Sequence, residues 1–487
     1  MSRINTNVSS LIAQRTLGSQ NMGLNKSLQR LSTGLAINRG ADDPAGLIAS
    51  ENLRSEKAAI NAAINNAERA EQVVNVAEGG LQEVSNLLVE LQSLVSSTAN
   101  EAGVSDEEKA ANQLQIDSIL QTIDRIANST SFQGEKLLNG NFDYQNNAST
   151  TDFSDVTINA AKLADDGTAL SVSVDVQQSA AQGVMFLSAG GGFTLGTGDQ
   201  YTIEVTGDKG SQQFTFAAGT TAADMETAID SFSDQIGVEA SVSGTVIKLE
   251  STEFGADSFV RVKELDDAGG NTKIYESNAD GTINTTGTDD GSDSGRDATV
   301  LINGTQATTD GLTARVASEG LDISISLTQA FNNGGSGTFS ITSGGANFNL
   351  GPAVSMSSKV SLGIETVTTG NLGSGANGFL SALKSGGAAN VQNGDLSKAQ
   401  SVIDDAIKQV SSLRGRLGAF QKNVVGATVS SLGIALENTA AAESQIRDTD
   451  FAAETAALTR GQILQQAAIQ SLSLANSGPQ AVLSLLG

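Results

Sequence analysis

Ile60 to Thr98 reads INAAINNAERAEQVVNVAEGGLQEVSNLLVELQSLVSST, and its apolar residues fall on two interleaved seven-residue sets. One set is Ile60, Ala67, Val74, Leu81, Leu88 and Val95; the other is Ala63, Ala70, Ala77, Val84, Leu91 and Thr98. Such a seam predicts a long helix that needs a helical partner along its whole length. The partner is at the other end of the chain, where Leu396, Ile403, Val410, Leu417 and Val424 interleave with Ala399, Ala406, Leu413, Phe420, Ala427 and Ile434. The two segments predict a rod whose seam residues are Val74, Leu81, Leu88, Leu91, Val95, Ile403, Val410, Leu413, Leu417 and Phe420.

Working outward, residues 3 to 35 form another amphipathic helix with Leu17, Leu24 and Leu31 on one heptad position and Asn21, Leu28 and Leu35 on the next. Gly34 and Asn38 to Asp43 end it. Asp42, Asp43 and Pro44 then start the long helix, which runs to about Ala99, some 55 residues or about 80 Å. Gly79 and Gly80 in its middle predict a local bend. Ser105 and Glu108 form a capping box for a third helix carrying Ile116, Ile119, Leu120, Ile123 and Ile126. A turn-rich loop follows from Phe132 to Gly140.

From residue 141 the pattern changes to strand alternation: Val172, Val174, Val176; Tyr201, Ile203, Val205; Phe214, Phe216; Val246, Leu249. Thr220 to Ile236 carries a short helical pattern, so 200–262 reads as an α+β module. The Gly-, Asp-, Asn- and Thr-rich stretch 263–297 reads as surface loop. Alternation resumes at Val300, Ile302 and Leu321 to Leu327, and continues through Phe339, Ile341, Phe348 and Leu350. Residues 370–394 lead back into the second long helix. Arg447 to Asp450 break that helix and cap another from Phe451 to about Ala475, ended by Pro479. The fold class is therefore α+β and multidomain, a terminal long-helix coiled-coil or bundle rod with a β-rich inserted region.

Composition narrows the function. The chain has 487 residues, no cysteine, no histidine and a net charge of −26. The charge disfavours nucleic acid and anionic membrane, and 39% hydrophobic content suffices for ordinary cores. Without His or Cys there is no thiolate or imidazole zinc site, no Ser-His-Asp or Cys-His nucleophile and no neutral-pH proton shuttle. Met1 to Gln14 lacks the apolar core of a Sec signal, and no stretch reaches the roughly 18 apolar residues of a span. Asp289, Asp290, Asp293 and Asp297 lack EF-hand spacing and read as a solvated acidic loop. Gly190 to Gly198 lacks the Gly-Lys-Ser/Thr of a phosphate loop. Asp404 and Asp405 with Lys408 form a helix-surface salt-bridge pattern.

Three stretches carry a family resemblance: Leu31 to Leu53 (LSTGLAINRGADDPAGLIASENL), Ile123 to Leu138 (IDRIANSTSFQGEKLL) and Ile463 to Leu486 (ILQQAAIQSLSLANSGPQAVLSLL). They resemble bacterial flagellin over about residues 1–140 and 395–487, with a weaker match at Gly344 to Gly373. The 200–262 module is similar to an insertion found in many flagellins. The resemblance implies a self-assembling flagellar filament subunit for swimming motility, a helical homopolymer that is extracellular and secreted without a Sec signal through a type III export apparatus. It implies as partners an export chaperone, that apparatus, the filament cap and the hook-junction proteins. No cofactor, metal, nucleic acid, membrane insertion or catalysis is expected.

In that family's layout, 1–43 and 445–487 would form the inner filament core, 44–150 and 340–444 the rod of the outer tube, and 151–339 the exposed variable region. Inner-core contacts would fall at Leu17, Leu24, Leu28, Leu31, Leu35, Phe451, Leu458, Ile469, Leu472, Leu485 and Leu486. These terminal helices are expected to order only on polymerisation. The face of the long helix at Val89, Glu90 and Leu94 matches the segment through which an innate immune receptor detects many flagellins. Where the family's receptor pattern has arginine, this chain has Glu90, which predicts weak detection. The alternatives are a hook-filament junction protein and an enzyme or adhesin displayed by the middle region. The zinc protease that some flagellins carry there is removed by the missing histidines.

Overall fold

Asp43 sets the start of the long helix: its carboxylate accepts the Gly46 N–H at 3.0 Å while Pro44, which has no N–H to satisfy, occupies the first turn. The computed structural model describes residues 6–486 apart from 101–102, 165–167, 190–199, 218, 244–245, 268–271, 278–282, 289, 319 and 376. Among them the α-helices are α1 Val8–Thr33, α2 Pro44–Thr98, α3 Asp106–Ser129, α4 Ala222–Asp230, α5 Ser233–Ile236, α6 Leu396–Ala419, α7 Ala427–Arg447 and α8 Phe451–Leu486. The chain divides into two compact units, one of Met1–Gln72, Phe348–Lys359 and Ala419–Gly487, the other of Val73–Asn347 and Val360–Gly418.

In the larger unit the later part of α2 buries Val74, Leu81, Val84, Leu88, Leu91 and Val95, and α6 buries Ile403, Val410, Leu413 and Leu417. Their rims are bonded antiparallel, Glu78 to Arg414 at 2.8 Å and Gln92 to Asp404 at 2.9 Å. The Ser105–Glu108 capping box opens α3, which buries Ile116, Leu120 and Ile123. Side chains of α3 and α6 hold the loop between residues 369 and 391. Asp124 accepts from the Thr369 N–H, Gln113 bonds Leu383 and Val391, and Asp405 accepts from Ser374 and Asn377. Asp404 and Asp405 are thus engaged by polar neighbours, in place of the expected helix-surface pairing with Lys408.

The middle of the chain forms two nested antiparallel structures. In the outer one a sheet with strand order 305–306, 299–302, 170–178, 336–343, 145–146 and a second sheet of 308–310, 313–317, 321–327, 153–161 enclose one core. Phe153 anchors it, with Phe331 at 5.2 Å and Phe339 at 5.5 Å. The inner one, from Val184 to Ser294, has sheets ordered 283–288, 272–277, 184–189, 246–251, 238–243 and 290–294, 259–267, 200–206, 211–217. Its core takes Met225 and Ile229 from α4, itself opened by a Thr221–Asp224 capping box.

Several expectations change here. The stretch 263–297 is largely strand, because a few inward apolar residues (Val262 beside Val205, Ile274 beside Leu187) suffice when backbone ladders do the pairing. The inward pair on 246–251 is Ile247 and Leu249, with Val246 on the outer face. The acidic residues are structural acceptors: Asp290 pairs with Arg261 at 2.8 Å, Asp293 accepts the Val184 N–H, and Asp297 accepts the Ala256 and Gly311 N–H groups. Asp289 and Gly190 to Gly198 lie outside the described residues.

In the smaller unit the first part of α2 buries Ile60, Ala63, Ala67 and Ala70, and is bonded to α7 by Glu51–Arg447 at 2.9 Å and by Lys57–Glu443. Phe420–Gly426 is π-helical, with the Phe348 ring tilted against Phe420 at 5.8 Å. The wide turn inserts one residue into the register. Val425 is buried instead of the expected Val424, Ala427 is exposed, and Ile434 is 60% exposed.

α2 is continuous through Gly79 and Gly80, so the expected bend is absent. Gly80 serves close approach: a Cβ there would lie 2.8 Å from both Leu138 Cδ1 and Thr130 Oγ1, whereas Gly79 has open space. Gly79→Ala should therefore stabilise the chain by about 0.5–1 kcal/mol through helix propensity. Gly80→Ala should destabilise it by about 1–3 kcal/mol through overpacking, despite the same gain. Urea midpoints of the two variants should move in opposite directions.

Candidate assembly surfaces

The first and last helices meet in the smaller unit. Asn7 caps α1 by accepting the Ser10 N–H, and Gly34, at φ 74°, ends it with an N–H to Arg30 O bond of 2.8 Å. The chain then pairs with the segment before α8: Ala36 N–H to Arg447 O, Thr449 N–H to Gly34 O, and Leu35 bridged to Asp448. Lys26 lies 2.9 Å from Asp42, and its hydrogen bond, with the Arg39 N–H, holds that carboxyl below its usual range. Asp450 opens α8 by accepting the Ala452 and Ala453 N–H groups.

Side-chain bonds fix α1 and α8 antiparallel. Asn7 reaches Ala475 O at 2.8 Å, Ser10 reaches Asn476, Gln465 reaches Asn21, and Arg30 lies 3.5 Å from Glu454. α8 continues to Leu486, past the end expected at Pro479. A proline inside a helix cannot bond the carbonyl four residues earlier. That carbonyl is Ala475 O, the one the Asn7 side chain satisfies.

What the pair buries is small: Ser10, Ala13 and Ser27 from α1, and Ala468 from α8. What it leaves out is apolar. Val8, Leu11, Ile12, Met22 and Leu28 of α1 are 46–70% exposed, and Phe451, Ile463, Leu464, Ile469 and Leu474 of α8 are 43–75% exposed. Of the residues singled out from the sequence, Leu28, Phe451 and Ile469 are exposed, while Leu17, Leu24, Leu31, Leu35, Leu458 and Leu472 are half-buried. The side chains of Leu485 and Leu486 lie outside the described residues. Heptad spacing missed Leu11, Ile12, Ile463 and Leu464, although Leu-Ile and Ile-Leu doublets mark faces too wide for one helix to cover. Ile12, Ala13, Thr16, Leu464 and Ala468 are among the residues that line a groove of about 310 Å³.

In the structure α1 and α8 are paired, each offering the other a small-residue face and polar rungs. On α2, Val89 (56% exposed) and Glu90 face outward, with Leu94 half-buried. No helix among the described residues is long and apolar enough to cross a membrane.

Residues 4–143 match the family described as the bacterial flagellin N-terminal helical region, and 400–486 the C-terminal helical region. A B-type flagellin of Pseudomonas aeruginosa is 29% identical over 543 aligned residues, and flagellin B of Vibrio cholerae 28% over 484, each comparison covering 99% of both chains. The chain belongs to the bacterial flagellin family. Among solved structures, hook-associated protein 3 of Legionella pneumophila resembles this flagellin with a TM-score of 0.30 at 12% identity, covering 81% of the chain and 98% of that protein, a likeness too slight to carry a function.

Asn7→Ala should remove both the α1 cap and the donor to Ala475 O, costing the pair about 1–3 kcal/mol. Hydrogen exchange should then rise in 7–13 and 470–478 and stay unchanged in the α2–α6 seam. Asn7→Asp should keep the cap but not the donor, so only the α8 segment should loosen.

Proposed function

We propose that the outward apolar faces of α1 and α8 are the contacts through which this flagellin polymerises. The chain is a structural subunit of the extracellular flagellar filament, and its work is done by seams of apolar contact. The observation that supports the assignment of surfaces is the inversion in the α1–α8 pair, which buries serine and alanine and leaves leucine and isoleucine in water. Exposed apolar area of that extent is characteristic of an interaction surface. A helical homopolymer supplies identical neighbours to cover it.

In the same proposal, 1–43 and 445–487 form the inner core, 44–150 and 340–444 the outer tube, and 151–339 the exposed region. Secretion without a Sec signal, through a type III export apparatus and with an export chaperone, belongs to it too, as do contacts with filament cap and hook-junction proteins and the absence of catalysis.

Ile12→Asp and Leu464→Asp place charges on residues that are 51% and 43% exposed, so each should change monomer stability by no more than about 0.5 kcal/mol. Each charge would be buried unpaired in a polymer, at a cost of several kcal/mol. Both variants should stay in the supernatant under salting-out conditions that sediment the native chain as filaments. Pelleted filaments from either variant would overturn the assignment. Excision of the inner structure, Val184 to Ser294, should leave polymerisation intact, because its two sheets and α4 close a core of their own.

Val89, Glu90 and Leu94 form the proposed receptor face. The carboxylate of Glu90 offers no donors where the family's receptor pattern has a guanidinium. A receptor reporter assay should show weak signalling by the native chain and a gain with Val89→Gln and Glu90→Arg combined; equal signalling by the two would refute it.

A further inference from the structure

Four cations lie on the α1–α8 pair, and they fall into two kinds. Lys26 lies 2.9 Å from Asp42 and Arg30 lies 3.5 Å from Glu454, so each has a carboxylate within its own chain. Arg15 and Arg460 are exposed, and neither guanidinium makes an ion pair or hydrogen bond among the described residues. The two helices offer them nothing. α1 contains no acid, and the one acid of α8 is Glu454, in its first turn and engaged by Arg30.

Spacing makes these two arginines part of the outward apolar faces, because residues three and four apart on a helix are neighbours on one side of it. Arg15 follows Leu11 and Ile12 by four and three residues and precedes Met22 by seven; Arg460 precedes Ile463 and Leu464 by three and four. Those five apolar residues are 43–70% exposed. Each exposed doublet thus has one arginine a single turn away. A neighbour broad enough to cover a doublet also covers that arginine, whose methylene stem can lie along apolar surface while its head needs a partner. The guanidinium cannot shed its charge, so desolvating it without a carboxylate opposes assembly outright.

We propose that Arg15 and Arg460 are the charge anchors of the two faces, each pairing with a carboxylate of a second copy of this chain. This role rests on the assignment of the α1 and α8 faces to polymerisation, and adds what a neighbour must present: an acid beside an apolar patch. A second copy meets that demand. The chain carries −26 although the α1–α8 pair has more cations than acids. In the smaller unit Glu56 and Glu68 of α2 and Glu437 of α7 are exposed and form no ion pair among the described residues. A guanidinium holding a carboxylate through two parallel bonds adds geometric specificity. The anchors therefore set the register of copies on faces whose apolar contacts alone are non-directional.

Growth of the full chain on seeds of native filament tests the anchors, the readout being the monomer concentration left in the supernatant. Arg15→Met and Arg460→Met remove the charge and keep an unbranched apolar stem. Each should raise that concentration about tenfold or more, because the neighbour's carboxylate is left unpaired. Arg15→Lys and Arg460→Lys keep the charge and should recover part of the loss. Urea midpoints of all four should match the native chain, since both positions are exposed and unpaired in the monomer. A native-like or lower concentration with either Met variant, or a Lys variant no better than its Met counterpart, would overturn the anchors. Ile12→Asp separates the anchors from the faces. If it stays unpolymerised while Arg15→Met grows like the native chain, the faces stand and the anchors fall; if Ile12→Asp grows too, the assignment of the faces falls with them.

Discussion

The structure depends on one requirement: the apolar seam of α2 must be covered along its whole length, and no local segment can do it. A helix of this length gains little stability from backbone propensity, and most of its stability comes from tertiary packing of its apolar stripe. The cover comes from the far end of the chain, α6 against Val74 to Val95 in one unit and α7 against Ile60 to Ala70 in the other. Everything between residues 130 and 395 must therefore leave the seam and return to it. That explains why the middle is built from domains that close their own cores, and why their entry and exit lie together at 138–144 and 363–367.

The apolar residues are put to two uses. In α2 and α6 the large residues of the seam are inside, so the seam is finished within one chain. In α1 and α8 the order is reversed, with serine and alanine inside and leucine and isoleucine outside. Small residues let two helices approach closely at little cost in exposed apolar area, while polar rungs such as Asn7–Ala475 and Ser10–Asn476 fix the register. The pair is thus specified without using the surfaces that further copies would need.

Much of this was legible in the sequence. Heptad spacing located α2 and α6, and the Asp43-Pro44 and Ser105–Glu108 signals marked helix starts that the structure keeps. The misreadings share a cause, a local rule overridden by a distant partner. Pro479 should stop a helix, but Asn7, more than 460 residues away, satisfies the carbonyl it orphans. Ala427 and Ile434 keep the heptad on paper, while the π turn beside Phe348 moves them off the seam. Gly80 looks like a bend because Leu138 and Thr130, which require it, are invisible to helix periodicity. The strands in 263–297 show too few apolar residues to register, since their pairing is carried by the backbone.

Charge distribution completes the division of labour. The chain carries −26, yet α1 has Arg15, Lys26 and Arg30 with no acid, and α8 has only Glu454 and Arg460. A net charge of that size keeps separate chains soluble through mutual repulsion. Concentrating the acids elsewhere leaves the apolar helices nearly free of it, so copies can approach there while repulsion acts across the rest of the surface. Where acids gather near the helices they are matched locally: Asp143 accepts backbone N–H groups of Tyr144 and Thr366, and Glu365 pairs with Arg416 of α6.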